Sequence, residues 1–181
     1  MVTYARAAIV ALFIALGVAC GHNNGSPAAP SGPPAVASQL LGTWSGIDHT
    51  NTTNAGSDEP NLFFQWTANQ MNGDAVTGLL LIAVGNSPPA HPPNGGTMSL
   101  NVAGSTVTVS ITVPPGGFGV TGNFPPGPLP HCSMTGTGSG AASATQIVVT
   151  VTTTFDPACA NGALYNQPGT VFSGSLTLNK Q

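Results

Sequence analysis

Apolar and polar residues alternate along most of the chain beyond residue 38. The clearest stretch is residues 97–102, where Met98, Leu100 and Val102 are separated by polar residues. Residues 107–113 repeat the alternation after a turn at Gly104. Because a period of two places every second side chain on one face of a strand, the pattern predicts a β-hairpin with one apolar face.

Eight segments of this kind follow one another, and after the first twenty residues none has the period of an amphipathic helix. Short connections favour antiparallel pairing of neighbours, and eight strands in a meander suit an up-and-down barrel. We therefore predict an all-β, eight-stranded antiparallel barrel, with a two-sheet, immunoglobulin-like sandwich as the alternative. The segments lie at residues 39–47, 62–67, 76–84, 97–102, 107–113, 132–140, 147–155 and 172–178.

A proline- and glycine-rich stretch at residues 114–130 interrupts the meander. It carries Phe118 and Phe124. Since proline has no backbone N–H to donate, we expect this stretch to stay outside the sheet.

The first predicted strand contains the pattern Leu40-x-Gly42-x-Trp44. It resembles the first strand of calycin-type barrels, the lipocalins and avidins, in which Gly-x-Trp closes one barrel end. The resemblance implies a barrel mouth that holds a small apolar ligand, with Trp44 and Trp66 among the lining residues. Alternatively, Trp44 is an ordinary buried tryptophan at the start of a strand. The barrel interior could also be filled by large side chains in place of a ligand.

The N-terminus has the features of a secretory signal. Arg6 precedes an apolar run of roughly a dozen residues, which is shorter than the ~20 that a spanning helix needs. Gly17 and Ala19 suit ordinary signal cleavage, whereas residues 16–20 resemble a bacterial lipoprotein signal, in which Cys20 would be lipidated. The stretch departs from the lipoprotein pattern at Gly17, and both routes stay open. The chain thus divides into a signal peptide at 1–19, a lipidated cysteine with a Pro/Gly/Ser-rich tether at 20–38, and a β-barrel domain at 39–181.

The chain has three cysteines, Cys20, Cys132 and Cys159. Acylation of Cys20 would leave an even pair, and an exported protein can form the disulfide Cys132–Cys159. Reflecting the predicted hairpin about residues 142–143 places Cys132 opposite Thr153, so a loop would have to fold back to bring Cys159 within reach. A two-cysteine metal site would lack CxxC spacing, and a catalytic thiol would lack an evident partner.

Charged residues make up only 4% of the chain, against about 25% in average proteins. Arg6 and Lys180 are its only lysine or arginine residues. Binding to a phosphate backbone requires clustered basic residues, so nucleic acid is excluded as a partner. Electrostatic attraction to anionic lipids is excluded for the same reason.

Catalytic patterns are missing from the sequence. It contains no G-x-S-x-G elbow, no H-E-x-x-H and no phosphate loop, so we expect neither an enzyme nor a cofactor. One loop between the first two strands concentrates Asp48, His49, Asp58 and Glu59, whose side chains are cation ligands. The alternative for these four residues is a solvated loop.

These observations predict a non-catalytic, lipid-anchored protein of the bacterial cell envelope, at the outer membrane or the periplasmic face. A secreted or periplasmic soluble protein is the alternative location. Its expected contacts are the membrane, through an N-terminal lipid, and either a small apolar ligand in the barrel mouth or an envelope partner. The second class of function is a structural or adhesive surface module with a filled interior.

Replacing Cys132 with Ser should lower the thermal midpoint of the oxidised protein. A closed loop of about 28 residues stabilises the folded state by at most about 3.5 kcal/mol in the chain-entropy model. Calorimetry under non-reducing conditions measures the shift, with Cys20→Ser as the control that leaves the midpoint unchanged. An unchanged midpoint for Cys132→Ser would show that the pair is not joined.

Overall fold

The computed structural model describes residues 35–52, 62–84, 88, 94–120, 133–156 and 171–181. Within these ranges the regular elements are one short 3-10 helix, Ala37–Leu40, and nine strands. The strands are β1 (Gly42–Thr52), β2 (Leu62–Asn72), β3 (Ala75–Val84), β4 (Gly96–Ala103), β5 (Thr106–Val113), β6 (Phe118–Val120), β7 (Met134–Ala142), β8 (Gln146–Phe155) and β9 (Val171–Lys180).

Eight of these strands form a closed ring. Each pairs antiparallel with its neighbour in the order β1-β2-β3-β4-β5-β7-β8-β9, and β9 pairs with β1. The junction between β9 and β1 is long, since its register runs from Trp44 opposite Lys180 to Thr52 opposite Phe172. The predicted up-and-down barrel is therefore confirmed, and the sandwich is excluded.

The ninth strand, β6, was not expected. Phe118–Val120 pairs parallel with the last residues of β3, beginning with Phe118 opposite Ile82. The prediction that the whole stretch 114–130 stays outside the sheet is thus wrong. These three residues contain no proline, and a turn with Gly116 at φ 78° and a hydrogen bond from Gly117 N to Pro114 O (2.9 Å) directs them back to the barrel.

The first strand begins later and ends later than predicted. Residues 39–40 belong to the 3-10 helix, where the Gln39 side-chain oxygen accepts a hydrogen bond from Val36 N (3.1 Å). Gly42, at φ 127°, then redirects the chain into β1. At the other end β1 continues to Thr52, so Asp48 and His49 lie in a strand and not in the loop where we expected them.

The side chains of alternate residues fill the barrel. In β4 and β5, buried and exposed positions alternate along each strand, as their sequences predict. The largest fully buried side chains are those of Trp44, Trp66, Phe64, Phe118, Phe155, Leu40, Leu80, Ile82, Met98, Leu100 and Ile111. The core is therefore the barrel interior itself.

The register of the β7–β8 hairpin differs from the predicted one. Ala142 pairs with Ile147, and Thr153 faces Gly136, so the predicted pairing of Cys132 with Thr153 is wrong. The cause is the turn, which includes Ser143: its hydroxyl oxygen accepts hydrogen bonds from Gln146 N (3.1 Å) and Thr145 N (3.3 Å). Cys20, Cys132 and Cys159 lie outside the described residues.

Inward-facing glycines permit the ring to close. At Gly46 and Gly140, a Cβ atom would overlap the backbone carbonyl oxygen of Thr177 or Val148 in the next strand. Only a residue without a side chain allows two strands to bend this closely past one another, as small barrels require at their corners.

Gly140→Ala should destabilise the barrel by about 3 kcal/mol or more, because the methyl group would have to displace backbone atoms. Gly104→Ala is the matched control. Gly104 has φ 63° but open space around it, so its substitution should cost only about 1–2 kcal/mol. Urea unfolding of the two variants compares them; equal costs would contradict the corner role of Gly140.

Candidate functional site

The two ends of the barrel differ. At one end the connections are the short turns around Gly73, Gly104 and Ser143, and we call this the closed end. At the other end all the long connections emerge, after β1, β3, β5 and β8, and we call this the loop end. Residues 53–61, 85–87, 89–93, 121–132 and 157–170 lie outside the described ranges.

Trp44 forms the floor of the interior at the closed end. Its side chain is fully buried, and its indole N–H donates a hydrogen bond to Leu40 O in the 3-10 helix (2.8 Å). The ammonium group of Lys180 lies 5.3 Å from the centroid of the Trp44 ring and donates a hydrogen bond to Gln39 O (2.6 Å). One lysine thus joins the last strand, the helix and the tryptophan.

Trp66 lies beside Trp44, since the two residues are directly paired in β1 and β2. Trp66 is also fully buried, and its indole N–H donates a hydrogen bond to Met98 O (3.0 Å). Both tryptophans that we expected to line a ligand site are therefore packed on all sides, with their polar atoms bonded to backbone carbonyls. Neither ring offers surface to a water-sized molecule.

The same packing continues toward the loop end. The inward side chains of Leu80, Ile82, Leu176 and Leu178 have no exposed surface, and Phe155 has 2%. An interior void large enough for water would leave accessible surface on its walls. The described interior is therefore filled by the protein's own side chains.

Within the described parts of the ring strands, two buried polar side chains interrupt this apolar interior. Asp48 on β1 and Thr153 on β8 are each only 3% exposed. Thr153 shares its face with Val151 and Phe155, and among the described residues its hydroxyl oxygen has no hydrogen-bond partner. A buried hydroxyl without a partner is costly, so it marks a place where a ligand or water could bond.

Phe118 fills the interior near the loop end. Its ring stacks on that of Phe155, with centroids 5.5 Å apart and an interplanar angle of 28°, and it is 1% exposed. Phe118 belongs to β6 and not to the ring of eight strands. The sequence offered no assignment for Phe118, because its proline-rich surroundings masked the strand.

Of the four residues predicted to bind a metal, only Asp48 has a described side chain. Asp58 and Glu59 lie outside the described residues. Among the residues that are described, no group of three or more His, Cys, Asp or Glu side chains comes together. Within the same ranges, no helix is long and apolar enough to span a membrane.

Two of the open clefts that the described residues form lie on the outside of the barrel. One, of about 330 Å³, lies at the closed end beside Ala35 and Asp74. The other, of about 440 Å³, lies on the wall beside Ile47 and Phe63. Neither cleft brings two titratable side chains together, so neither has the arrangement that acid–base catalysis needs.

No protein-family model matches the chain, and no curated protein matches it. Among solved structures, that of EF1p2_mFAP2b bound to DFHBI is similar, with a TM-score of 0.49 and 15% sequence identity. The match covers 81% of this chain and 97% of that chain. The barrel closure described above comes from the strand pairing of this chain itself.

Lys180→Met should destabilise the protein by about 1–2 kcal/mol, since it removes a charged hydrogen-bond donor and a cation over an aromatic face. Lys180→Arg keeps both interactions and is the matched control. Chemical unfolding of the two variants measures the difference. Equal stability of the Met variant and the wild type would show that Lys180 does not hold the closed end together.

Proposed function

We propose that this chain is a non-catalytic, lipid-anchored module of a bacterial envelope, and that its filled barrel is a rigid support for the connections at the loop end. The observation that carries the proposal is the packed interior from Trp44 to Phe155, whose side chains have almost no accessible surface. A carrier of large apolar molecules needs an interior cavity. A rigid support instead needs an interior that is filled by side chains.

The path of the N-terminus supports an orientation. Ala35 is bound to the closed end, where its backbone N–H donates to Ala142 O (2.9 Å). A lipid on Cys20 would therefore attach the barrel by its closed end, through a tether that reaches at most ~50 Å when extended. The loop end would then face away from the membrane and meet envelope partners.

An apolar-ligand barrel of the calycin type is the second candidate. The position of Trp44 supports the resemblance, since Gly42 and Trp44 lie at the closed end, as the Gly-x-Trp pattern implies. The buried Thr153 hydroxyl also favours a ligand. A long-chain ligand would have to displace most of the core. Transport of such a ligand is therefore less well supported than the role of a rigid support.

Native mass spectrometry of the full chain, purified from bacterial membranes in detergent, tests the proposal. We expect a chain that begins at Cys20, carries acyl groups and retains no non-covalent ligand. Cys20→Ser should lose the acyl mass and leave the detergent phase, while Cys132→Ser should keep both. An unmodified Cys20 would contradict the anchor, and a retained lipid at one per barrel would contradict the filled support.

A further inference from the structure

Not every side chain that fills the barrel interior comes from a ring strand. Among the largest fully buried side chains, Leu40 comes from the 3-10 helix, Phe118 comes from β6, and all the others come from the eight ring strands. Leu40 is fixed at the closed end by the Trp44 hydrogen bond to its carbonyl. Phe118 is thus the interior side chain whose removal requires no ring strand to move.

The attachment of β6 is short. Its pairing covers three residues, from Phe118 opposite Ile82 to Val120 opposite Val84, and within the described residues its partner is β3. The ring strands, in contrast, each pair on two sides over longer registers. A strand paired along one edge over three residues opens at a lower free energy than the ring.

The turn before β6 provides a hinge. Gly116 has φ 78° and open space around it, and Gly117 N donates to Pro114 O. Gly116 can absorb a large change in backbone angles without steric cost, whereas Gly117 is buried beside Val113 and Gly95 and would move with β6. Detachment of β6 would remove the close approach of Gly117 to the Val113 side chain but leave the backbone pairing of β5, which ends at Val113 before the turn, intact.

The place occupied by Phe118 has the chemistry of a small aromatic site. Phe118 is paired with Ile82 and stacked on Phe155, and Met134 is paired with both Phe155 and Val113. These four neighbours are at most 2% exposed. Thr153 lies two residues from Phe155 on the same face and carries a buried hydroxyl that lacks a partner among the described residues. The walls would accept an aromatic ring, and the hydroxyl would accept or donate one hydrogen bond.

The ligand must not be an anion. The single described lysine, Lys180, lies at the opposite, closed end and is engaged with Gln39 and Trp44. An anion among Ile82, Val113 and Phe155 would lose its hydration without gaining a counter-charge, which is strongly unfavourable. Apolar chambers of this kind hold neutral molecules the size of benzene.

We propose that Phe118 is the internal occupant of a binding chamber for a small neutral aromatic molecule with one hydrogen-bonding group, such as an indole or a phenol, and that β6 is its door. The ligand enters when β6 detaches from β3, stacks on Phe155 in place of Phe118 and bonds to Thr153. The inference goes beyond the support role and is independent of the anchor on Cys20.

Calorimetric titration of indole into the folded full-length protein tests the chamber. Phe118→Ala should bind indole at one site and at least tenfold more tightly than the wild type, because the internal competitor is gone. Thr153→Val, which keeps the shape of the side chain, should weaken indole binding and leave toluene binding unchanged. If Phe118→Ala binds indole no better than the wild type, or if Thr153→Val affects both probes equally, the proposed chamber is wrong.

A second variant tests the door in case Phe118→Ala does not fold. Ala83 and Gly119 are paired in register between β3 and β6, so cysteines at both positions can form a disulfide that locks the door. The oxidised A83C/G119C variant should lose indole binding, and reduction should restore it, whereas reductant should not alter binding by the wild type. Indole binding that is equal in the oxidised and reduced variant, or absent from the wild type and the reduced variant alike, would overturn the proposal.

Discussion

Closure of the ring is the constraint on which the rest of the structure depends. The strands consist largely of Thr, Val, Ser and Gly, and only 4% of the chain is charged. Such strands have almost none of the charged side chains that normally keep a free edge from pairing with another molecule. The pairing of β9 with β1 over nine registered positions removes both edges of an eight-stranded sheet at once.

Closure in turn determines what the interior can hold. An eight-stranded barrel has an interior just wide enough for side chains to fill, and inward glycines such as Gly46 and Gly140 let the strands bend around it. The large side chains of Trp44, Trp66 and Phe64 fill the interior space that these glycines, which have no side chain, leave free. The closed end is completed by Lys180, and the loop end by a side chain from outside the ring, Phe118. This difference between the ends is why a binding chamber, if it opens, opens near the loop end.

The sequence predicted the features that depend on local alternation. The eight strands, the inward faces of β4, β5 and β8, and Trp44 at a barrel end all follow from period two or from the Gly-x-Trp pattern. Alternation also contained two signals that we did not use. Lys180 has the same parity as Leu176 and Leu178, and Thr153 has the same parity as Val151 and Phe155, so both could have been placed on the inward face.

The features that the sequence did not predict depend on contacts between distant residues. The 3-10 helix is selected by the Gln39 cap and the Trp44 hydrogen bond, which do not appear in any periodicity. The register of β7 and β8 depends on the hydroxyl of Ser143, which moved the turn. The short strand β6 exists because β3 extends beyond the start of β4 and leaves backbone groups to pair. None of these three features has a local sequence pattern of its own.

The central claim is that the barrel is a closed ring with one detachable strand, β6. Native-state hydrogen exchange of the barrel domain, measured for each residue by NMR, tests this claim most directly. Amides in the β9–β1 ladder should exchange only through global unfolding, as slowly as those between β4 and β5, because a closed ring has no edge. Amides bonded between β3 and β6 should exchange much faster, by local opening. Fast exchange along β1 and β9 would contradict closure, and β6 amides protected as strongly as the ring would contradict the door.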